Sequence, residues 1–201
     1  KSAKKIILST GMSNEREIGE ALNYLYNNGI NKSQIILLQC TTEYPAPFSE
    51  LNLKVIKKLK KKFKVKVGLS DHSIGEIAPI IAVSMGAKII EKHLTLNRKL
   101  SGPDHKASIE PNELKILIKK IKLAQLSLGS ELKKPTKSEK KNIKIARKSI
   151  YASKNIIKGE IYTEENICLK RPANGINASK FFKIIGKKAI KNFKKDEKII
   201  L

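Results

Sequence analysis

The chain holds three histidines, His72, His93 and His105. His72 and His93 each close a short apolar run, within Gly68-Leu69-Ser70-Asp71-His72 and Lys88-Ile89-Ile90-Glu91-Lys92-His93. Neutral imidazole is a common ligand for divalent metals. Two of them on successive strand ends, each beside a carboxylate (Asp71, Glu91), point to one shared ion. Neighbouring parallel strands run about 4.8 Å apart, which brings such side chains within reach of each other. A two-histidine site keeps coordination positions open, the arrangement in which a metal polarises a carbonyl oxygen. The remaining polar residues are less specific. Asp104 lies in Ser101-Gly102-Pro103-Asp104-His105-Lys106, where turn chemistry alone accounts for an aspartate. Ser9 and Ser70 are strand-end hydroxyls that equally suit helix capping. Cys40 reads as a buried strand thiol. Tyr44, held by Pro45-Ala46-Pro47 in an extended loop, suits either a hydrogen bond to a substrate or core packing.

The elements that must position these residues alternate regularly over residues 1–130. Apolar strands at Ile6 to Ser9, Gln34 to Cys40, Val65 to Ser70 and Lys88 to His93 are each followed by a segment of helical period. The first helix carries Ile18, Ala21, Leu22 and Leu25 and stops at Gly29; the second carries Leu53, Ile56, Leu59 and Phe63. The third runs from Ile77 to Gly86, and the fourth from Pro111, which suits a first helical position, to Leu128. Four βα units of this kind predict a parallel sheet covered by helices. No phosphate-binding glycine motif follows any strand, which disfavours a nucleotide-binding doubly wound fold. Polar residues cluster instead at the strand ends, the face that carries the active site in (β/α)8 barrels. Four units are half of such a barrel. The fold class expected is therefore α/β, half of a (β/α)8 TIM barrel over 1–130, then a Lys-rich, Pro-containing linker over 131–148 and a small, mostly β domain over 149–201. Turns at Lys158-Gly159 and Asn174-Gly175 separate the short strands of that domain.

The chain has 201 residues, a net charge of +24 and 40% hydrophobic residues, enough for a real core. All but four of its 42 basic residues are lysine. Nucleic-acid readers lean on arginine and on stacking aromatics, and Trp is absent while Phe and Tyr number five each. The charge therefore reads as solvated lysine rather than a nucleic-acid footprint. Two cysteines exclude a disulfide framework and fit a reducing, cytoplasmic setting. No apolar run reaches membrane-spanning length, and Ile6-Ile7-Leu8 is too short for a secretory signal. The chain begins with Lys, consistent with a piece of a longer protein.

Ser9-Thr10-Gly11-Met12, Cys40 to Pro47 (CTTEYPAP), Gly68 to Ser73 (GLSDHS), Glu91 to Thr95 (EKHLT) and Gly102 to Ser108 (GPDHKAS) occur in this order and spacing. Together they resemble the sialic acid synthase family, which includes N-acetylneuraminate, legionaminate and pseudaminate synthases. The tail resembles the antifreeze-like SAF domain of those enzymes through Ala146 to Ile150, Ile157 to Glu160 and Lys170 to Ile176. The similarity spans essentially the whole chain, with the C-terminal half of the barrel represented. It implies condensation of phosphoenolpyruvate with an N-acetylmannosamine-like sugar to a nonulosonic acid, a transferase reaction (EC 2.5.1.-). It implies that His72 and His93 hold the metal, usually Mn2+ with Mg2+ or Co2+ as alternatives. Glu91 would orient a metal-bound water and Asp104 a sugar hydroxyl. Ser9 and Ser70 match positions contacting phosphoenolpyruvate, and Thr42 and Tyr44 match positions lining the two substrate sites. Arg171 matches an arginine that the SAF domain of one subunit inserts into the site of its partner in a homodimer.

The family often has Pro-Gly-Asn-Gly where this chain has Pro172-Ala173-Asn174-Gly175; an alanine there is harmless at negative φ and strained at positive φ. The first barrel half, with its phosphate-binding lysines, is missing from the resemblance. A half barrel exposes two strand edges and the inner face of its sheet, so the chain alone is expected to be inactive and association-prone. Two readings of other classes stand beside the enzyme: a sugar- or protein-binding fragment without turnover, and a basic nucleic-acid binder. For Arg171, a strongly cationic linker is expected to repel itself into an extended path of up to ~60 Å.

Overall fold

The structure, a computed structural model, describes residues 4–201. It divides into two compact units, Lys1–Ser130 and Glu131–Leu201.

The first unit is a four-stranded, all-parallel sheet in the order β1 (Ile6–Ser9), β2 (Ile35–Cys40), β3 (Lys66–Asp71), β4 (Ile90–Lys92). The helices follow their strands: α1 (Glu15–Asn27), α2 (Val55–Phe63), α3 (Ile77–Ser84) and α4 (Pro111–Leu128). Each begins or ends for a local reason. Asn14 caps α1 by accepting from the Arg16 and Glu17 amides, while Glu17 accepts from the Asn14 amide. Lys64 closes α2 in the left-handed conformation, with φ 54°. Pro111 opens α4 with its missing N–H at a position where no intrahelical partner exists. The core lies between the outer face of the sheet and the helices. Leu22, Ile35, Leu37, Ile56, Leu59, Val67 and Leu69 are all essentially removed from solvent, at about 1.5–3 kcal/mol for each large side chain.

Alternation along the strands sets the other face. Ile35 and Leu37 join the helix-side core, so Ile36, Leu38 and Cys40 point to the barrel interior. The expected exposure of that interior is only partial. Leu38 is 0% and Ile36 4% exposed, whereas Ile7 on β1 is 49% exposed. Gly68 on β3 explains part of this closeness, since a Cβ there would overlap both the Leu38 side chain and the Ile89 carbonyl. β1 and β4 each keep one edge without a partner strand among the described residues.

The second unit contains α5 (Lys137–Ala146), β5 (Ser149–Ala152), β6 (Ile167–Lys170) and a short α6 (Phe181–Ile184). β5 and β6 pair antiparallel, and single bridges such as Ile156 to Phe193 and Ile161 to Lys188 replace further strands. The run expected to be extended, residues 131–148, is helical over 137–146. Thr136 and Glu139 form a capping box, and Lys, Glu and Ala are good helix formers whose propensity outweighs screened repulsion. A ten-residue helix shortens the reach of that segment from ~60 Å to roughly 40 Å, at 1.5 Å per helical residue. Ala173 is not among the residues with positive φ, so it sits unstrained in its loop.

The core of this unit gathers Ile150, Ile156, Tyr162, Ile167, Phe193 and Ile199. Tyr162 is 0% exposed, and its hydroxyl has no hydrogen-bond partner among the described residues. Burial pushes its phenol above the ordinary tyrosine range. A buried, unpaired hydroxyl costs about 1–3 kcal/mol. Tyr162→Phe is therefore expected to raise the unfolding temperature of this unit by a few degrees in a calorimetric scan; a fall would show that the hydroxyl is bonded.

Candidate functional site

The strand ends of the first unit surround a cavity of about 320 Å3, lined by Ser9, Gly11, Cys40, Thr42, Tyr44, Ser70, His72, Glu91 and His93. Alternation produces this set directly. Ser70 pairs with Glu91 in the β3–β4 register, and His72 and His93 follow two residues later on the same face. The imidazole centroids lie 5.2 Å apart with planes at 74°. The Tyr44 ring completes a triangle, 4.1 Å from His72 and 5.3 Å from His93.

His72 is 6% exposed and held from several sides. Its carbonyl accepts from the Ala46 amide at 2.9 Å, docking the Tyr44–Pro47 loop onto it. Its Nδ1 lies 2.8 Å from the Thr41 carbonyl. A carbonyl can only accept, so Nδ1 carries a proton, and in the neutral ring Nε2 keeps its lone pair, the tautomer a metal ligand needs. Cys40 lines the cavity rather than lying buried, its Sγ 3.9 Å from the same Nδ1. The His93 carbonyl accepts from the Ile109 amide at 2.8 Å. Its Nδ1 is 3.8 Å from Asp104 Oδ2, which is too long for a direct hydrogen bond. Glu91 accepts a 2.7 Å hydrogen bond from the Ser70 hydroxyl. Gly11 allows the β1 end to approach, since a Cβ there would overlap Thr42 Oγ1 and crowd Cys40 Sγ. Partial burial, then the Cys40, Asp104 and Glu91 groups, raise the Tyr44 phenol above its ordinary range, so it remains a neutral donor.

Two imidazoles that share an ion at nitrogen–metal distances of about 2.1 Å have centroids roughly 4.6–5.4 Å apart for coordination angles of roughly 90–110°. The observed spacing falls inside that span, and the donor set suits a borderline divalent ion. Among the described residues, no group of three His, Cys, Asp or Glu side chains could hold one. An ion on these two histidines would keep most of its positions for water and substrate oxygens.

One placement differs from the sequence reading. Asp71, counted as a carboxylate beside His72, faces away from the cavity because adjacent strand residues point to opposite faces. It is 1% exposed and bonded to Lys92 and Ser73. His105 bonds to Thr95 Oγ1 at 2.7 Å and stays outside the site. Arg171 lies in the second unit, where its Nε donates to the Ala146 carbonyl at 2.8 Å. Cys40, read from sequence as a buried strand thiol, was not expected at the site, nor were Gly11 and the Thr41 carbonyl. The signal for Cys40 was present, since it shares the strand parity of Leu38 and Ile36. A larger cavity of about 870 Å3 opens at the other end of β2 and β3. It is lined by lysines including Lys57, Lys60, Lys64 and Lys88, but no aromatic, so it offers no stacking platform.

The loop that carries Asp104 is anchored by Arg98, whose Nε donates to the Ser108 carbonyl and whose guanidinium pairs with Glu113 at the start of α4. The Arg98 side chain, then the Glu110 amide, hold Glu113 below its ordinary value of 4.5. A depressed carboxylate contributes stability that is complete above its unfolded value and lost as pH falls through the folded one. Unfolding midpoints of the parent and Glu113→Gln are expected to differ near neutral pH and converge in acid below that value. A pH-independent gap would contradict the pairing.

Residues 1–133 match the NeuB family, and residues 147–199 match the SAF domain. An N,N'-diacetyllegionaminic acid synthase from Campylobacter jejuni is 56% identical over 98% of this chain and 59% of its own length. An enzyme of the same name from Legionella pneumophila is 38% identical over 93% of the chain and 53% of its own length. The crystal structure of an N-acetylneuraminic acid synthetase from Leptospira borgpetersenii, in complex with citrate, superposes with a TM-score of 0.62. It is 39% identical and covers 69% of this chain and 48% of its own. The chain thus spans between 48% and 59% of the length of these relatives. Among the described residues, no helix is long and apolar enough to cross a membrane.

Proposed function

Because the chain belongs to the NeuB family and carries a SAF domain, we propose that it forms the metal-bearing part of a nonulosonic-acid synthase. Such an enzyme joins phosphoenolpyruvate and an N-acetylmannosamine-like sugar, takes up one water and releases phosphate. The observation that carries this reading is the cavity at the strand ends, where two imidazoles, Glu91, Ser70 and Tyr44 converge.

In this reading His72 and His93 would hold a divalent ion, Mn2+ by preference with Mg2+ or Co2+ as alternatives, to polarise the aldehyde oxygen of the open-chain sugar. The Thr41 carbonyl fixes the His72 tautomer. Ser9 and Ser70 would contact phosphoenolpyruvate, and Thr42 and the neutral Tyr44 phenol would line the two substrate sites. Glu91, with one oxygen engaged by Ser70, keeps the other to orient water. Asp104, 53% exposed beside His93, would accept from a sugar hydroxyl. A new bond forms between the enol carbon and the aldehyde carbon, and the protein's task is to align the two and favour the developing oxyanion.

A closed barrel needs four more βα units than the four seen here. We therefore propose that the 201-residue chain alone has no turnover. The same chain preceded by the first four units of the C. jejuni relative is expected to release phosphate from phosphoenolpyruvate with an N-acylated mannose-type sugar and Mn2+. His72→Ala and His93→Ala in that protein should each lower kcat/KM by at least about 100-fold. A folded, Mn2+-binding fusion that holds the sugar but never releases phosphate would favour a binding module and end the enzyme reading.

Arg171 would act in a homodimer, at the mouth of the partner's barrel. Pairing a subunit carrying Arg171→Ala with one carrying His72→Ala leaves one complete site if the arginine acts in trans. The mixed dimer is then expected to recover part of the activity, up to about half; no recovery would place Arg171 in its own subunit's site.

A further inference from the structure

On the helix side of the sheet, directly behind the two imidazoles, Lys92 Nζ lies 2.7 Å from Asp71 Oδ2 and 2.5 Å from the Ser73 carbonyl. The other oxygen of Asp71 accepts from the Ser73 amide at 2.9 Å and the Ser73 hydroxyl at 2.7 Å. The side chains of Asp71 and Lys92 are 0% and 5% exposed. We infer that this buried ion pair is a positioning element that sets the spacing and orientation of His72 and His93, an inference resting on the reading of those histidines as metal ligands.

Three observations carry it. Asp71 and Lys92 are direct partners in the β3–β4 register, and each immediately precedes one of the histidines. Lys92 holds residues 71 and 73, so it brackets His72 on both sides along the chain. The core of the face they occupy is apolar, with Val67, Leu69, Ala78 and Ala82, while Gln39 shares the face and bonds to the Leu51 carbonyl.

A buried ion pair costs so much desolvation that two apolar residues of similar volume often serve stability as well or better. Stability alone is thus a weak reason for charge here. Register is a stronger one. Slipping one strand by a single residue would reverse the faces of its side chains. It would separate Asp71 from Lys92 and turn one histidine out of the cavity. Only the observed register satisfies the carboxylate, the ammonium and the Ser73 groups together.

The test separates folding from metal affinity. The double variant Asp71→Leu/Lys92→Met removes both charges and leaves no lone buried ion. In the whole chain it is expected to unfold within a few degrees of the parent by circular dichroism. Its Mn2+ affinity, read from the electron paramagnetic resonance signal of free Mn2+, is expected to fall about 10–100-fold. A folded double variant with parental affinity would overturn the inference. If that variant does not fold, Asp71→Asn/Lys92→Met, which keeps acceptors and a donor beside Ser73, is read in the same way. His72→Ala distinguishes the two levels of argument. A parent that binds no Mn2+, or a His72→Ala chain that binds it as tightly as the parent, overturns the metal reading and this inference with it. Loss of binding in His72→Ala with none in the double variant overturns this inference alone.

Discussion

The pairing register between β3 and β4 is the constraint on which the first unit's chemistry depends. One ladder decides that Ser70, His72, Glu91 and His93 share a face and that Asp71 and Lys92 share the other. The sheet needs hydrophobic burial on the helix side to exist at all, and Leu69 and Val67 supply it in the same parity as Asp71. Polar cavity residues and core residues are thus interleaved one by one along β3 and β4, strands of six and three residues. Gly68 belongs to the same logic. Without a side chain there, the Ile89 carbonyl can approach closely and accept from the Leu69 amide at 3.0 Å, which draws β4 in ahead of its histidine.

Electrostatics at the cavity is local despite the chain's charge of +24. Exposed charges beyond about 8 Å are largely screened at physiological ionic strength, so most lysines add little to the field at the imidazoles. What acts there is nearer: Glu91 and Asp104 beside the histidines, and a neutral Tyr44 ring against both imidazoles. The acidic side chains are few, and several are committed to definite partners. Glu110 and Glu113 fix the Asp104 loop through Arg98, and Glu15 receives both Lys58 and Lys62 of α2.

Much of this was legible from hydrophobic period alone. Four strands and four helices appear where apolar runs and helical spacing place them, with Pro111, Gly29 and Gly86 as punctuation. The strand-end cluster was legible too, since Ser9, Thr42, Tyr44, Ser70, His72, Glu91 and His93 line one cavity. Asp71 was misplaced because closeness in sequence was weighed above strand parity, which sends neighbours to opposite faces. The ion pair behind the histidines escaped for a deeper reason. A lysine at a strand end reads as solvent-facing unless the acid opposite it is known, and that needs the register. Helix α5 was hidden by its like charges, although Thr136 and Glu139 carry the spacing of a capping box. Ile161-Tyr162 reads as a strand by composition but makes only a single bridge, since small β units satisfy many backbone groups through turns.

The tie between Arg171 and the end of α5 bears on conformational entropy. A free arginine gives up about 2 kcal/mol of rotamer freedom when it is immobilised on a ligand. Here Nε is already held by the Ala146 carbonyl, and the amide of Ala173 is held by the carbonyl of Lys144 on the same helix. Part of that ordering has been completed during folding, before any ligand arrives. The two terminal nitrogens form a fork at the end of a short tether, and an anionic or hydroxyl oxygen meeting them would gain contacts at a smaller entropic loss. A lysine at this position would carry the same charge but would anchor and grip from one ammonium nitrogen, without the planar fork that arginine presents beyond its anchored Nε.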